Sequence, residues 1–380
     1  MTTVSLPEAT SEKDKQFLRR ALQFAAESIA LASPNPYVGA VVVKDGVIVG
    51  SGTHAYEGRK HGEILALEEA GTRASGATLY VNLEPCSHQG RTGPCADAVV
   101  AAGIRRVVCS MEDPNPKVKG QGFAKLRAAG IELAVGLLEN EARRLNEAFV
   151  RYVRSRRPLV TLKSAMTSDG KIAPATRTPE NRWITGEAAR THVQQLRHQS
   201  DAILVGVGTV VADDPLLTDR SGMPRRRSLM RVILDSQLRL PLDSRLVTSA
   251  QGDVVAFCKT GASRKSELAR HGIRIEEVNL ASEDLLDWNG ILARLGELQI
   301  LSLMIEGGSH INGSALAAGI VDKVFLYQSP RAMNDANAVP FATWPDGHTS
   351  LGIANLRDQI VHRFGDDSAV EGYLHDPYQD

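Results

Sequence analysis

The residues best suited to chemistry in this 380-residue chain lie in three short segments of its first hundred positions. They are His61-Gly62-Glu63, Glu84-Pro85-Cys86 and Pro94-Cys95. One imidazole and two thiolates are a three-ligand set for Zn²⁺ that leaves a fourth position open for water. Zinc lowers the pKa of bound water to roughly 7, which provides a hydroxide nucleophile near neutral pH. The segments therefore predict a catalytic zinc centre with the histidine and the two cysteines as ligands.

Glu63 lies two residues after the histidine, at the start of a predicted helix. A carboxylate there can take a proton from the zinc-bound water and pass it to a departing amine. It must stay off the metal, because a fourth protein ligand would close the open position. Taken singly, the histidine could cap a helix and the cysteines could be small buried hydrophobic residues. Together they match the signature of the zinc-dependent base deaminases.

The spacing of the two cysteines departs from that signature. Nucleic-acid deaminases have two residues between them, whereas Cys86 and Cys95 are separated by the eight residues Ser87 to Pro94. The 44 basic and 44 acidic residues also cancel, and only 5% of the chain is aromatic. Binding of a nucleic-acid strand requires a basic groove and aromatic stacking platforms. The sequence therefore favours a small-molecule substrate over a nucleic-acid-editing deaminase with an accessory domain.

Composition also indicates where the chain works. No apolar run approaches the ~18–20 residues that cross a bilayer, and the polar stretch Met1 to Gln16 lacks the apolar core of a signal peptide. Four cysteines are too few for a disulfide scaffold. We therefore expect a cytoplasmic protein without a membrane partner.

The elements that must position the zinc ligands alternate in type along the first part of the chain. Hydrophobic periodicity predicts a helix over Asp14 to Ala32, and the Asp45-Gly46 pair predicts a hairpin. Helices and strands then alternate, which is typical of a three-layer α/β domain. The remaining predicted elements are the hairpin strands Ala40–Val43 and Val47–Val49, a helix at His61–Ala70, a strand at Thr78–Leu83, a helix after Pro94 and a strand at Arg106–Ser110.

A second alternating pattern follows a charged junction. The stretch from Arg151 to Pro158 is dense in arginine, and its proline opens a new strand at Leu159–Lys163. We therefore predict two domains, at residues 1–153 and 158–380, the second also α/β. Its predicted elements are helices at Gly186–Gln199 and Ile311–Ala318 and strands at Ala202–Val205, Arg231–Asp235, Asp253–Cys258, Ile300–Ile305 and Lys323–Gln328.

Two glycine-containing segments of this second domain could hold a phosphate. The run Val205-Gly206-Val207-Gly208-Thr209 lacks the third glycine of a dinucleotide fingerprint, so it is weak evidence. Glu306-Gly307-Gly308-Ser309 stands between a predicted strand and a helix. Its backbone amides at a helix N-terminus could bind a phosphate closely. A tight strand-to-helix turn is the alternative.

Taken together, these motifs resemble the bifunctional deaminase–reductase family of riboflavin biosynthesis over nearly the whole chain. The resemblance implies a cytidine-deaminase-like zinc domain followed by a dihydrofolate-reductase-like α/β domain. It also implies removal of the 2-amino group of a diaminopyrimidinone ribosylamino 5′-phosphate, and then reduction of the ribosyl group to ribityl with NADPH. We further expect a homo-oligomer. The matching segments are Pro34–Gly39, His61–Glu63, Glu84–Thr92, Asp113–Pro116, Ser164–Ala173, Trp183–Gly186, Ser200–Thr218 and Glu306–Gly308.

The resemblance also implies roles for individual residues. In the deaminase, His61, Cys86 and Cys95 would bind zinc and Glu63 would move protons. Asn35, His54 and Arg91 would contact the substrate, although Asn35 between two prolines could instead form a turn. In the reductase, the substrate contacts would be Arg197, Leu217, Arg220 and Glu306, and two arginines suit a sugar phosphate. The cofactor contacts would be Met166, Trp183, Thr209, Asp213, Ser236, Gly308, Ser309, His310, Ile311, Asn312, Gly313 and Ser314.

Three segments depart from the family pattern. Gly62 replaces a customary alanine but removes no ligand. Thr167-Ser168-Asp169-Gly170 replaces Ser-Leu-Asp-Gly, and Pro330 to Asn334 departs from a Pro-Lys-hydrophobic-Gly pattern. The last two departures leave open a deaminase of the same pathway with a degenerate reductase domain.

Overall fold

The computed structural model describes residues 8–88, 93–116, 118–176, 178, 183–282, 285–344 and 356–379. The chain divides into two compact units. The first comprises Met1–Ser155 with Pro224–Arg227, and the second comprises Arg156–Met223 with Ser228–Asp380. Among the described residues, no helix combines the length and the apolar character that crossing a membrane requires.

The first unit contains a five-stranded sheet in the order β2-β1-β3-β4-β5. Strands β1 and β2 form an antiparallel hairpin, β1 also pairs antiparallel with β3, and β3, β4 and β5 are parallel. The strands are β1 Gly39–Lys44, β2 Val47–Thr53, β3 Thr78–Leu83, β4 Arg106–Met111 and β5 Glu132–Val135. The helices are α1 Glu8–Ala26, α2 Gly62–Ala70, α3 Cys95–Ala101, α4 Gln121–Ala128 and α5 Glu139–Ser155, with a 3₁₀ turn at Gly71–Ala74.

Helices pack on both faces of this sheet, so the predicted three-layer arrangement is confirmed. Leu18 and Ala21 of α1 pack with Val41 and Val43 of β1 on one face. Helix α2 lies against the other face, where Gly50 and Gly52 of β2 permit a close approach. A Cβ atom at either glycine would lie only 2.1–2.2 Å from a carbonyl oxygen of α2.

A buried ion pair joins α1 to the middle of the sheet. Arg106, the first residue of β4, donates to both carboxylate oxygens of Asp14 at 2.9 and 2.8 Å. The hydroxyl of Tyr80 on β3 donates to the same carboxylate at 2.7 Å. Both charged side chains are less than a tenth exposed. The carboxylate therefore receives the three hydrogen bonds that make its burial tolerable.

The hairpin prediction is confirmed, whereas the predicted end of α1 is wrong. Asp45 and Gly46 both have positive φ angles, 50° and 79°, as a two-residue hairpin turn requires. Helix α1 ends at Ala26, six residues before the predicted Ala32. Hydrogen bonds of the i to i−3 type replace the helical ladder beyond it, and Ala30 takes a φ of 62° that no α-helix accommodates.

The second unit contains a nine-stranded sheet in the order β11-β10-β9-β8-β14-β6-β15-β18-β17. Neighbours from β11 to β15 are parallel, and the last two strands are antiparallel. Its strands are β6 Leu159–Met166, β8 Ala202–Gly206, β9 Met230–Leu234, β10 Val254–Lys259, β11 Arg274–Val278, β14 Ser302–Ile305, β15 Lys323–Gln328, β17 Arg357–Phe364 and β18 Asp367–Tyr373. Two small ribbons pair β7 Lys171–Ala173 with β16 Val339–Pro340 and β12 Leu280–Ser282 with β13 Leu285–Leu286.

The parallel strands are buried on both faces, which explains their continuous apolar sequences. Along β8, Ile203 and Val205 belong to one hydrophobic cluster, and Ala202 and Leu204 belong to another. Helices cover both clusters, so this unit is the predicted second α/β domain. They are α6 Glu187–Gln199, α7 Val207–Asp213, α8 Arg245–Thr248, α9 Lys265–Arg270, α10 Trp288–Glu297 and α11 Ser309–Ala317.

Candidate active sites

The three predicted zinc ligands meet beyond the carboxyl end of β3. His61 is the N-cap of α2, Cys86 follows β3 by three residues, and Cys95 is the first residue of α3. The Nδ1 atom of His61 lies 3.1 Å from Sγ of Cys95 and 3.5 Å from Sγ of Cys86. Two ligands of one tetrahedral zinc, at bond lengths of 2.0–2.3 Å, are separated by about 3.5 Å.

The electrostatics of the two cysteines also fit a cation. The Cys95 side chain and then the His61 ring, by hydrogen bonding, lower the pKa of Cys86 to about 4. The backbone N–H of Cys95 donates to the same sulfur at 3.3 Å. The hydrogen bond with Cys86 in turn raises the pKa of Cys95, as does burial. One thiolate is thus favoured and a second is costly, unless a cation at the centre balances both charges.

Glu63 lies in the first turn of α2 and is only 3% exposed. Burial raises the pKa of its carboxyl group to about 7. Its Oε2 atom is buried and has no hydrogen-bond partner among the described residues. A carboxyl group that exchanges protons near neutral pH and keeps one oxygen unengaged is suited to general acid–base chemistry.

His54 lies beside the predicted zinc ligand His61, and Asn35 is hydrogen-bonded to His54. Their predicted contact with the substrate stays a prediction. The rings of His54 and His61 are 5.2 Å apart between centroids. Nδ1 of His54 lies 2.8 Å from the carbonyl oxygen of Lys60, which requires the proton on Nδ1. Nε2 therefore accepts from the Asn35 amide, 2.8 Å away. Arg91 lies outside the described residues.

Glu84 supports this site in a way that sequence reasoning missed. Its buried carboxylate accepts backbone N–H groups from Asp113, Gly120 and Phe123 at 3.0–3.1 Å. The Asp113 loop is thereby fastened next to the segment that carries Cys86. The only signal for this role was that Glu84 belongs to the same Glu-Pro-Cys motif.

The second unit contains a cavity of about 700 Å³. It is lined by eight of the residues predicted for the reductase, which are Trp183, Arg197, Thr209, Asp213, Leu217, Arg220, Glu306 and Gly308. The remaining predicted cofactor contacts are absent from the described lining, and they are Met166, Ser236, Ser309, His310, Ile311, Asn312, Gly313 and Ser314. Residues 309–314 belong to α11, which begins directly after Gly308. Their contact with a cofactor stays a prediction.

A charged cluster stands in the wall of this cavity. Arg197 donates to both carboxylate oxygens of Glu306 at 2.8 and 3.1 Å, and Nζ of Lys163 lies 3.4 Å from Oε2. Burial alone would raise the pKa of Glu306, but the charges of Arg197 and Lys163 outweigh it and hold this pKa at about 2. Sequence reasoning missed Lys163, although a cation inside a buried strand was an available signal.

The loop that carries Arg220 is fixed to α6. The backbone N–H of Arg220 donates to Oε1 of Gln194 at 3.1 Å. Asp219 pairs with His198 at 3.0 Å, and both side chains are 6% exposed. Arg220, Arg197 and Lys163 therefore present three cations toward one cavity that also contains Glu306. A surplus of positive charge of this kind suits a phosphate-bearing ligand.

Two family models match the chain. Residues 11–111 match the cytidine and deoxycytidylate deaminase zinc-binding region, and residues 158–368 match the RibD C-terminal domain. The riboflavin biosynthesis protein RibD of Aquifex aeolicus is 42% identical over 365 residues, which cover 94% of this chain and 98% of the relative. The chain belongs to the RibD family.

Further relatives in the family support this assignment. The Escherichia coli RibD is 41% identical over 365 residues, covering 93% of this chain and 95% of that protein. The Acinetobacter baumannii RibD structure matches with a TM-score of 0.82 at 34% identity, covering 96% of this chain and 99% of that one. A Thermotoga maritima structure named as a diaminohydroxyphosphoribosylaminopyrimidine deaminase/5-amino-6-(5-phosphoribosylamino)uracil reductase matches with a TM-score of 0.80, 34% identity and the same coverages.

The predicted family, fold class and enzyme class are therefore confirmed. The chain is a bifunctional enzyme of riboflavin biosynthesis, with a zinc-dependent deaminase domain and an NADPH-dependent reductase domain. A nucleic-acid-editing deaminase and a deaminase with a degenerate reductase domain are not favoured by these matches.

Proposed function

We propose that the His61–Cys86–Cys95 centre removes an amino group from a diaminopyrimidinone ribosylamino 5′-phosphate, and that the second-unit cavity reduces the ribosyl group of the product with NADPH. The convergence of three zinc-type ligands beside the buried Glu63 carries the proposal. Its substrate is the one named for the Thermotoga maritima relative.

In the deamination, Glu63 is the proton carrier. Bound zinc would supply the Lewis acidity that makes water nucleophilic near neutral pH. Oε2 of Glu63 takes a proton from the attacking water, and Glu63 then protonates the departing amine so that it leaves as ammonia. The Asn35 amide, oriented by its hydrogen bond with His54, would position the pyrimidine ring. Arg91 is proposed as a further substrate contact.

In the reduction, the chain aligns two ligands and supplies charge. NADPH provides the hydride. Arg197, Arg220 and Lys163 form the cationic wall that would bind the sugar phosphate, and Glu306 keeps Arg197 in place through its two hydrogen bonds. The backbone amides at Gly308, where α11 begins, are suited to a cofactor phosphate. The other cofactor and substrate contacts predicted from the sequence are proposed for the same roles.

The proposal is tested by following ammonia release and NADPH absorbance separately on the purified protein. We expect Glu63→Gln to abolish ammonia release, because the amide cannot carry the proton, while a pre-deaminated substrate is still reduced at the normal rate. Glu69→Gln, at the exposed end of the same helix, is the matched control and should leave both rates unchanged. Ammonia release by Glu63→Gln at the parent rate would rule out the proton-carrier role.

We also propose that the deaminase occupies residues 1–153 and the reductase residues 158–380, and that the enzyme works in the cytoplasm as a homo-oligomer. The bounds of the two family matches support the division. The four cysteines are all free of disulfides, which suits a reducing compartment. Light scattering on the purified protein would measure the oligomeric state, and the mass of a monomer would refute the proposed homo-oligomer.

A further inference from the structure

The segment Trp183–Gly186 forms part of the reductase cavity and precedes α6. Trp183, Ile184 and Thr185 all line the cavity. Trp183 is 52% exposed, which is unusual for a large aromatic residue. An exposed ring of this kind keeps a fixed position only if the backbone beneath it is fastened by other groups.

Arg331 fastens the first two residues of this segment. Its Nη2 atom donates to the carbonyl oxygen of Trp183 at 2.9 Å and to that of Ile184 at 2.5 Å. Arg331 lies 148 positions further along the chain, in the loop after β15. It therefore ties a distant loop to the wall of the cavity.

The loop that carries Arg331 is bound by the segment Thr167–Gly170. Both segments depart from the family pattern. The Asp169 carboxylate accepts the backbone N–H groups of Met333 and Asn334 at 3.1 and 3.0 Å. Ser168 donates its N–H to the carbonyl oxygen of Arg331 at 3.0 Å. Hydrogen bonds from Thr167 and from Met333 lower the pKa of Asp169 to about 2. The two departures thus contact each other and form one connected structure.

The far end of the segment is fastened from α6 and β18. Nη1 of Arg190 donates to the carbonyl oxygen of Thr185 at 2.7 Å, and its guanidinium lies 4.9 Å from the centroid of the Trp183 ring. The N–H of Gly186 donates to the Asp367 carboxylate at 2.6 Å. Each of the three consecutive carbonyls from Trp183 to Thr185 therefore accepts a hydrogen bond from a guanidinium.

We propose that Arg331 is a positioning residue for NADPH binding, which holds Trp183 and Ile184 in the wall of the reductase cavity. The inference rests on the reductase function proposed above. A guanidinium group suits this role because its N–H groups have fixed directions, whereas the lysine usual in the family pattern presents a flexible point charge. Without Arg331, the segment would have to be ordered when the cofactor binds, which weakens affinity.

The test measures NADPH binding by isothermal titration calorimetry for the parent, Arg331→Ala and Arg331→Lys. We expect Arg331→Ala to raise the Kd for NADPH about fivefold, as the loss of exposed charge-assisted hydrogen bonds should. Arg331→Lys should give an intermediate Kd. At saturating NADPH, the reductase kcat and the KM for the deaminated pyrimidine should stay within about twofold of the parent, since Arg331 only positions the cofactor wall.

The matched control is Arg294→Ala, which removes a guanidinium that binds the carboxylates of Glu276 and Glu297 in the same unit. It should leave the Kd for NADPH unchanged. If Arg331→Ala bound NADPH with the Kd of the parent, the inference about Arg331 would be overturned and the proposed reductase site would not be affected. An equal loss of affinity for NADPH and for the pyrimidine would also overturn it, because that indicates general damage. Failure of the parent to bind NADPH would overturn the proposed reductase site as well.

Discussion

At the scale of single residues, the two sites use buried carboxyl groups in opposite ways. Within the described ranges no group is hydrogen-bonded to Oε2 of Glu63, and burial raises the pKa of this carboxyl group to about 7. Glu306 is largely buried too, but it touches Arg197 and Lys163, and their charges lower its pKa to about 2. The first group is suited to carrying protons at neutral pH, and the second is a permanent negative charge that organises cations.

We predict that Glu306→Gln destabilises the second unit by about 3 kcal/mol at pH 7, because it leaves two buried cations without their carboxylate. The folded-state pKa is lowered, so this stabilisation is fully present above the unfolded value of 4.5 and is lost as the pH falls toward about 2. Urea unfolding should therefore give the same difference in the free energy of unfolding between the parent and Glu306→Gln at pH 7 and pH 5.5. The difference should be smaller near pH 3.

The control for this prediction is Glu277→Gln, which removes an exposed carboxylate that pairs with Lys265. It should change stability little at any of these pH values, since surface ion pairs contribute little. If the difference in the free energy of unfolding between the parent and Glu306→Gln stayed constant down to pH 3, Arg197 and Lys163 would not be lowering the pKa of Glu306.

At the scale of elements, the metal site depends on how closely α2 approaches β2. A Cβ atom at position 52 would lie 2.2 Å from the carbonyl oxygen of Gly62. That carbonyl belongs to the residue directly after His61. Packing on β2 therefore sets the position of the first zinc ligand.

We predict that Gly52→Ala lowers zinc affinity at least tenfold and destabilises the first unit by about 2 kcal/mol, because overpacking displaces α2. Zinc content after dialysis against a metal buffer and thermal unfolding would measure the two effects. Gly58→Ala is the control, since the nearest atom to its Cβ would be 3.6 Å away. Equal zinc affinity in the two variants would show that α2 tolerates the shift.

The sequence revealed the zinc site because its donor types and spacings are local features. The local patterns put His61 and Cys95 at helix starts, which the structure confirms. The roles of Lys163 and Glu84 were missed because they arise from contacts between residues that are far apart in the sequence. Lys163 contacts a residue 143 positions away, and Glu84 contacts residues 29 to 39 positions away. The predicted end of α1 was wrong because the apolar periodicity of the sequence continues through Ile29, whereas the helix already ends at Ala26. The contacts along α11 stay predictions.

At the scale of the whole molecule, each unit contains the described residues that are proposed for one of the two reactions. All three zinc ligands and Glu63 belong to the first unit, and every residue described in the wall of the reductase cavity belongs to the second. Neither set includes a residue of the other unit. The two chemistries should therefore respond separately to treatments that act on one site.

We predict that exhaustive chelation abolishes ammonia release and leaves the reduction of a pre-deaminated substrate within about twofold of the untreated rate. The reason is that zinc supplies the nucleophile of the first reaction and has no role in hydride transfer. Added Zn²⁺ should restore ammonia release. Parallel loss of both activities, or ammonia release that survives with no metal left in the sample, would refute the zinc-dependent mechanism.

The ion pair between Asp14 and Arg106 limits how far the chain can be shortened from its N-terminus. Arg106 begins a central strand, and its guanidinium is held in the interior by a carboxylate of the first helix. Removing residues up to position 13 keeps that counter-charge. Removing Asp14 as well takes away the buried counter-charge and leaves Arg106 paired with Glu132, whose side chain is 58% exposed. Affinity tags and trimmed versions of this enzyme should therefore be designed upstream of Asp14, because the first helix completes the interior of the deaminase.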